Sequence, residues 1–270
     1  MILVNGAATD RVAATDRGLS YGDGVFRTFP VIKGRAPAWR LQFQKLCADC
    51  VALMLPCPAE GLLANEVSRV TAGQRESVVK IIVTRGTGER GYRASPEPET
   101  TRIVLATPGL PYGRDLARGG VRICICNTRV AIQARLAGVK HLNRLENVLA
   151  RSEWSDPTIS EGLMLDTLGN VIGGTMTNLF IVEDEGLATP DLSNCGVAGV
   201  TRERILVAAA RYGMPCRVEP LTLHRVRAAR ELILVNSVIG AWPIRDIEGH
   251  AVQPGPEATR VQGWLEEDDG

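Results

Sequence analysis

The apolar positions of the chain fall into two spacings, one typical of strands and one typical of helices. Short β-branched runs bounded by turn residues predict strands at residues 2–4, 25–32, 78–84 and 102–107. The helical spacing of Phe43, Leu46, Cys50 and Leu53 predicts a helix between the second and third of these strands. The first third of the chain therefore predicts a small α/β domain.

The rest of the chain repeats this alternation on a larger scale. Strands are predicted at residues 121–126, 162–166, 171–175, 179–182 and 232–236, and helices at 142–154 and 201–212. Turn-forming residues are concentrated between residues 108 and 120 and predict a linker. We therefore expect a mixed α/β (α+β) fold with a small N-terminal domain (1–108), a linker (109–120) and a larger C-terminal domain (121–270).

Composition excludes several classes of protein. The 31 basic and 30 acidic residues give a net charge of +1, and the basic residues are scattered, so no nucleic-acid partner is expected. No stretch approaches the roughly 18 apolar residues of a membrane span, and the N-terminus has no basic leader segment, so we expect a cytoplasmic protein that does not bind membranes. A small acidic molecule remains possible as a ligand.

The seven cysteines are odd in number and irregularly spaced, which argues against a disulfide framework. Cys47 and Cys50 form one C-x-x-C pair inside an apolar helical pattern, and we interpret both as buried helix cysteines. The three histidines have no metal-ligand spacing. No metal site is predicted.

Two features carry candidate chemistry. Lys140 lies between Val139 and Leu142, and a lysine desolvated in this way becomes a nucleophile for carbonyl groups; a solvated lysine at a helix start is the alternative. The turn Gly196-Val-Ala-Gly-Val-Thr-Arg202 leads directly into a predicted helix, so backbone N–H groups and a hydroxyl would converge there as they do in phosphate sites. An ordinary N-capped helix is the alternative for this turn.

Two further segments, Asp16-Arg-Gly-Leu-Ser-Tyr-Gly-Asp-Gly24 and Thr84-Arg-Gly-Thr-Gly-Glu-Arg-Gly-Tyr92, combine arginine with several glycines. Loops of this composition commonly bind anions, although solvated turns have the same composition. Together with Lys140-His-Leu-Asn-Arg-Leu-Glu146 and Asn178-Leu-Phe180, they resemble the fold-type IV pyridoxal-phosphate (PLP) enzymes over nearly the whole chain. That family includes branched-chain aminotransferases, D-amino acid aminotransferases and aminodeoxychorismate lyases, and the string beginning at Lys140 is most similar to the lyases.

The resemblance implies roles for particular residues. Lys140 would carry PLP as a Schiff base and then shuttle protons, and a homodimer is implied. The PLP phosphate would be held by Val200, Thr201 and Ser237, with Asn178 also at the cofactor, whereas Arg90 and Tyr92 match positions that bind a substrate carboxylate in the aminotransferases. The activity implied is conversion of 4-amino-4-deoxychorismate to 4-aminobenzoate and pyruvate.

The sequence departs from the family at two cofactor positions. Gly173 stands where the family has a glutamate that pairs with the pyridine nitrogen, and Lys45 stands where it has an arginine on the phosphate. Losing one charge-assisted hydrogen bond of roughly 1.5–3 kcal/mol predicts a reaction slower by about one to two powers of ten. A transaminase on the same fold and a non-catalytic member of the family are the alternatives, and a water, Glu161 or Asp166 are candidates to replace the missing carboxylate.

Overall fold

The computed structural model describes residues 1–268. The chain forms two compact units: unit 1 comprises Met1–Pro111 with Val139–Asn143, and unit 2 comprises Tyr112–Gly138 with Arg144–Gly270. The short segment that carries Lys140 thus groups with the first unit, whereas the sequence analysis assigned it to the second domain. The prediction of a mixed α/β fold is confirmed.

Unit 1 is built on one antiparallel sheet. Its strands are β1 (Ile2–Val4), β2 (Ala7–Ala8), β3 (Gly24–Ile32), β4 (Glu76–Thr84) and β5 (Thr101–Pro108). Its helices are α1 (Arg17–Tyr21), α2 (Trp39–Ala52) and α3 (Glu60–Val70). The strand order is β2-β1-β5-β4-β3.

The two faces of this sheet differ because side chains alternate along each strand. On β4, Val79, Ile81 and Val83 are buried in a core that α2 and α3 cover. Lys80 and Ile82 point to the opposite face and are only half-buried. A lysine therefore stands on a sheet face that the helices of unit 1 leave uncovered.

The segment Val139–Asn143 runs along the outer edge of β3. Phe26 donates its N–H to the carbonyl of Lys140 (3.0 Å), and Leu142 donates to the carbonyl of Gly24 (2.9 Å). Residues 142–144 are consequently not helical, and the next helix, α5 (Leu145–Arg151), begins only at Leu145, so the predicted start at residue 142 was wrong. Pairing with a strand edge satisfies these backbone groups as well as a helix would, and it overrides the local helical pattern.

Unit 2 contains a larger, mixed sheet. Its strands are β6 (Val121–Val130), β7 (Ile159–Asp166), β8 (Asn170–Gly174), β9 (Asn178–Glu183), β10 (Gly186–Pro190), β11 (Cys216–Glu219), β12 (Leu221–Thr222), β13 (Glu231–Asn236), β14 (Gly240–Ile247) and β15 (His250–Ala251). Its helices are α4 (Arg114–Gly119), α5 (Leu145–Arg151), α6 (Val200–Arg211), α7 (Leu223–Ala228) and α8 (Pro256–Asp268). The order is β11-β10-β9-β13-β14-β6-β7-β8-β12, and β15 pairs with β14.

Both faces of the central strands of unit 2 are buried. Phe180 and Ile233 pack in one apolar cluster with Ile205 of α6 and Val261 of α8. The alternate residues of the same strands, such as Leu179 and Leu234, pack in a second cluster on the other face. Among the described residues, no helix combines the length and apolar character needed to cross a bilayer.

The cysteines of unit 1 differ from the sequence-based interpretation. Cys50 is buried and free, as expected for a core helix cysteine. Cys47 instead forms a disulfide with Cys57, which the sequence analysis did not predict. The reason is local: α2 ends at Ala52 and the chain reverses at Met54 (φ 54°), so the two Cα atoms lie only 5.3 Å apart.

Candidate active site

Lys140 is held at the edge of β3 with its amine beside an aromatic ring. Its Nζ lies 4.6 Å from the centroid of Phe26. Its backbone N–H donates to Oδ2 of Asp49 (3.2 Å). The lysine is half-buried, and the flanking Val139 is buried. The Lys140 amine therefore lies beside an aromatic ring, and the Lys140 backbone is bound to a carboxylate.

The Asp49 carboxylate contacts three basic residues of unit 1. Its carboxylate pairs with the Nζ of Lys45 (2.7 Å) and with the guanidinium of Arg27, besides accepting the Lys140 N–H. Burial lowers the pKa of Arg27, and the Asp49 carboxylate opposes that change. The structure thus brings Lys45 and Lys140 to one buried carboxylate. Sequence reasoning missed Asp49, although its spacing of four residues from Lys45 on a helix was a usable signal.

Lys80 is a second residue that the sequence analysis missed. Its Nζ lies 4.8 Å from the centroid of Phe26, the same ring that Lys140 contacts. Burial lowers the pKa of this half-buried ammonium, and among the described residues no carboxylate lies within ion-pair distance of it. A cation without an internal anion on an uncovered sheet face is suited to an anionic ligand. The signal in the sequence that could have identified Lys80 was a lysine inside an otherwise apolar, β-branched run (residues 78–83).

The N-terminus of α6 in unit 2 has the geometry of a phosphate site. Gly199 is its N-cap, no described side chain caps this end, and the first N–H groups of a helix have no partners within it. The hydroxyls of Thr201 and Ser237 lie 3.3 Å apart. Backbone N–H groups of Val200 and Thr201, two hydroxyls and the positive end of the helix dipole therefore converge at one place, as they do in phosphate sites. These residues fit the phosphate of PLP.

Asn178 fixes the turn that precedes this helix. Its Nδ2 donates to the carbonyl of Val197 (2.8 Å), and its Oδ1 accepts the Gly199 N–H (3.1 Å). A Cβ on residue 199 would lie 2.4 Å from this Oδ1, so the close approach requires glycine. Gly138 also pairs with the turn through the carbonyl of Gly196 (3.0 Å). Asn178 thus binds the backbone of the phosphate turn.

Gly173 lies in β8 with a backbone shaped for glycine. Its φ is +152°, and a Cβ at this position would lie 2.7 Å from the carbonyl oxygen of Thr177. The neighbouring Gly174 faces the carboxylate of Glu161, whose Cδ lies 2.7 Å from an ideal Cβ at residue 174. Since successive residues of a strand point to opposite faces, Glu161 lies on the face away from residue 173. Glu161 therefore does not replace the carboxylate missing at Gly173.

Asp166, the other candidate for that replacement, is occupied elsewhere. It accepts the N–H groups of Leu168 (2.9 Å) and Asn170 (2.8 Å) and closes the turn between β7 and β8. Among the described residues, no group of three or more His, Cys, Asp or Glu side chains is arranged to hold a metal ion.

Glu161 is fully buried and is the centre of what we call the Glu161 cluster. Its Oε1 accepts from the N–H of Gly162 (3.0 Å) and from the N–H (3.0 Å) and hydroxyl (2.5 Å) of Thr175. Its Oε2 accepts from the N–H of Met176 (3.1 Å) and the hydroxyl of Thr177 (3.0 Å). Five neutral donors thus bind the carboxylate, and four of them belong to the loop between β8 and β9, immediately before Asn178.

Arg90 and Tyr92 lie in an exposed loop of unit 1, which we call the glycine-rich loop (residues 85–92). The Tyr92 side chain is 87% exposed and contacts the ring of Tyr21, with the centroids 5.4 Å apart. The structure brings neither Arg90 nor Tyr92 to Lys140 within unit 1. The loop is anchored instead to α1.

That anchor is the Asp23 cluster, which consists of Asp23, Arg17 and Arg85. Asp23 Oδ2 accepts from Nε of Arg17 (2.9 Å) and from Nε of Arg85 (2.8 Å). Burial raises the pKa of the Asp23 carboxyl, but the hydrogen bonds and charges of Arg85 and Arg17 outweigh it, and the net pKa is lowered. The carboxyl is therefore ionised at neutral pH.

Known proteins share both the sequence and the fold. A family model described as amino-transferase class IV matches residues 24–247. The chain is 34% identical over 248 residues to the aminodeoxychorismate lyase of Vibrio harveyi, covering 92% of this chain and 91% of that protein. It is 30% identical over 260 residues to a putative branched-chain-amino-acid aminotransferase of Methanocaldococcus jannaschii, covering 93% and 89%.

A solved structure extends this similarity to three dimensions. The crystal structure of 4-amino-4-deoxychorismate lyase from Pseudomonas aeruginosa matches with a TM-score of 0.94 and 39% identity, covering 99% of each chain. The family model alone spans well over half of the sequence. The chain therefore belongs to the amino-transferase class IV family, the PLP-dependent enzymes of fold type IV.

Proposed function

We propose that this protein is an aminodeoxychorismate lyase, which converts 4-amino-4-deoxychorismate to 4-aminobenzoate and pyruvate and so supplies folate synthesis. The observation that carries the proposal is the match over 99% of both chains to a lyase of that name. The string Lys140-His-Leu-Asn-Arg-Leu-Glu146 supports it further, because the aminotransferases look different there.

The residues described above divide the work of cofactor binding. Val200, Thr201 and Ser237 would hold the PLP phosphate through the α6 N-terminus and two hydroxyls. Lys45 would add positive charge without the planar fork of an arginine. Lys140 would provide the amine for covalent attachment. Bound PLP supplies an electron sink for the carbon from which a proton is taken.

Lys140 is also the base of the proposed reaction. Once its amine is released, it removes the proton from the ring carbon that bears the substrate amino group. The enolpyruvyl side chain then leaves as its C–O bond breaks, and the ring becomes aromatic. Return of the proton to the methylene carbon of the leaving group gives pyruvate, so atoms and protons balance between one substrate and two products.

Lys80 is the residue we propose for a substrate carboxylate. Its ammonium is half-buried and lies over the ring that Lys140 also contacts. A carboxylate bound there would offset the desolvation that lowers the pKa of Lys80. Arg90 and Tyr92 are proposed as further substrate contacts, with the arginine as the natural partner of a carboxylate.

Gly173 predicts a slow enzyme. Neither Glu161 nor Asp166 stands in for the missing carboxylate, because each is satisfied by donors within unit 2. The protonated pyridine nitrogen of bound PLP would then lack a carboxylate partner from either residue, and the expected rate is lower by about one to two powers of ten than with a charge-assisted hydrogen bond.

The test is a product assay with PLP-saturated protein and fresh 4-amino-4-deoxychorismate. The wild type should form 4-aminobenzoate and pyruvate in equal amounts, and Lys140→Ala should lose at least about 10³-fold in rate because base and attachment point are removed together. Lys33→Gln, in an exposed turn, is the matched control and should keep the wild-type rate. Absence of 4-aminobenzoate from the wild type contradicts the proposal.

Two alternatives give different results in the same experiment. A transaminase would move the amino group of an amino acid to an oxo acid and leave 4-amino-4-deoxychorismate intact. A non-catalytic member of the family would show neither reaction. This outcome would stand even if the wild type developed a PLP absorption band that Lys140→Ala lacks.

We also propose a homodimer. On α5, Leu145, Val148 and Leu149 form a stripe at helical spacing with 68%, 57% and 54% of their surfaces exposed. An apolar helix stripe of this kind is suited to self-association through a two-fold interface. Light scattering should give twice the chain mass for the wild type and the single-chain mass for Val148→Glu. A monomeric wild type at micromolar concentration contradicts the dimer.

A further inference from the structure

The guanidinium of Arg17 is buried and uses three separate donors. Nε binds Asp23 (2.9 Å), Nη1 donates to the carbonyl of Gly91 (2.9 Å), and Nη2 donates to the carbonyl of Tyr92 (3.1 Å). Only 6% of the side chain is exposed. One planar group thus connects α1 to the far end of the glycine-rich loop, 74 and 75 residues away in sequence.

The loop has a few other contacts, including a backbone bridge between Asp16 and Thr87 and the contact between the Tyr21 and Tyr92 rings. Gly91 donates its N–H to the hydroxyl of Tyr21 (3.2 Å), and the Arg17 N–H binds the carbonyl of Gly86 (2.8 Å). The Tyr92 side chain is almost fully exposed, so burial contributes little to its position. The carbonyls of Gly91 and Tyr92 are therefore bound by a buried side chain directly beside Arg90, whereas the other contacts of this end of the loop involve Tyr21, which is itself exposed.

Arg17 is itself held in place by Asp23. Asp23 orients its Nε and is shared with Arg85, and Arg85 in turn donates to the carbonyls of Leu53 (2.7 Å) and Met54 (3.0 Å) at the end of α2. A guanidinium suits this place because its donors are rigid and coplanar, whereas an ammonium on a flexible stem cannot match three acceptors in fixed directions.

We infer that Arg17 is a positioning residue, which holds the Gly91 and Tyr92 carbonyls and thereby aims Arg90 and Tyr92 at an anionic group of the substrate. The inference rests on the proposed function for the identity of that substrate. The hold of Arg17 on the loop does not depend on the reaction.

The experiment compares Arg17→Lys with Arg102→Lys. Arg102 pairs with Glu66 at 2.9 and 3.0 Å in the same unit, so its replacement removes a comparable guanidinium contact away from the loop. Hydrogen exchange of peptides covering residues 86–93 is measured first, followed by kcat and KM for 4-amino-4-deoxychorismate. Tyr21→Phe, which removes only the hydroxyl that accepts the Gly91 N–H, is a milder second variant.

Arg17→Lys should raise exchange of the loop about tenfold or more while the other peptides keep wild-type exchange. KM should rise about tenfold with kcat changed less than about threefold, because contacts made equally in ground and transition states act on KM. Tyr21→Phe should give a smaller change in the same direction, and Arg102→Lys should leave loop exchange and KM unchanged.

Unchanged loop exchange in Arg17→Lys and Tyr21→Phe overturns the inference, as does raised exchange with an unchanged KM. If Arg17→Lys does not fold, the same exchange and KM measurements on Arg17→Gln decide the question, since this variant also removes the donors to the Gly91 and Tyr92 carbonyls. A wild type that makes no 4-aminobenzoate removes the proposed function, and the exchange result still decides whether Arg17 holds the loop.

Discussion

The Asp23 cluster in unit 1 and the Glu161 cluster in unit 2 each hold a loop through one carboxylate, but the carboxylate is satisfied in opposite ways. Asp23 is 16% exposed and is paired with two buried guanidiniums. Glu161 is fully buried, and the groups that bind it in the described part of the chain are neutral N–H and O–H donors. The first cluster balances charge against charge, and the second surrounds one charge with dipoles.

This difference decides what each cluster loses when its carboxylate is neutralised. Removing the charge of Asp23 leaves two buried cations side by side, whereas removing the charge of Glu161 leaves only neutral donors without a full set of acceptors. An uncompensated buried charge costs more than an unsatisfied neutral donor. The more accessible carboxylate should therefore be the more costly one to change.

Asp23→Asn tests this ranking directly. The side chain keeps its shape, but Arg17 and Arg85 lose their shared counter-charge, and we expect the free energy of unfolding to fall by about 3 kcal/mol in urea denaturation. Added salt should restore part of the loss, because it screens the repulsion between the two guanidiniums. Asp184→Asn is the control. The Asp184 side chain is 90% exposed and its partner Arg230 is 56% exposed, so this ion pair contributes little to the free energy of unfolding.

The effect of pH on the cost of Asp23→Asn follows from the direction in which the pKa of Asp23 is shifted. Because the folded pKa of Asp23 is lowered from 3.8, its contribution is present above that value and is lost only as the pH falls through the lower folded pKa. The cost of Asp23→Asn should therefore be constant between about pH 5 and pH 8. A cost below about 1 kcal/mol, or one that increases with salt, contradicts the charge-balance account.

The sequence predicted the parts of the fold that depend on local pattern. The strands β1, β3 to β5, β7 to β9 and β13 begin and end within three residues of their predicted positions, because burial of one or both faces is visible in the spacing of apolar residues. Strand β6 continues four residues beyond its predicted end at residue 126. The N-terminus of α6 was visible for the same reason, since a glycine turn before a helix is a local signal.

What remained hidden depends on partners that are distant in sequence. Glu161 meets donors 14 to 16 residues away, and Arg17 meets carbonyls 74 and 75 residues away. Periodicity indicates that such a side chain is buried or exposed but does not indicate which groups it meets. The residues 142–144 were wrongly predicted to be helical for this reason, and spacing alone left open whether Lys140 is a nucleophile or a solvated lysine.

Glu161→Gln is the smaller and sharper test of the comparison. A glutamine keeps the size but turns one oxygen into an NH₂ group, and backbone N–H groups face both oxygens, from Gly162 and Thr175 on one side and Met176 on the other. At least one N–H donor therefore faces another donor in either orientation. The expected loss is about 2 kcal/mol in the free energy of unfolding, without the salt dependence of Asp23→Asn.

The matched control is Glu153→Gln in the same unit. The Glu153 carboxylate also accepts two backbone N–H groups, from Asn127 (2.6 Å) and Thr128 (2.7 Å), but it is exposed, and water can bind any donor that the glutamine leaves. We expect its loss to stay below about 0.5 kcal/mol. Equal losses at residues 153 and 161 would mean that burial of the carboxylate does not determine the cost. A large loss at Glu161 alone would show that the cost comes from buried donors that water cannot reach. The Glu161 cluster would then hold the loop before Asn178 through these buried neutral donors.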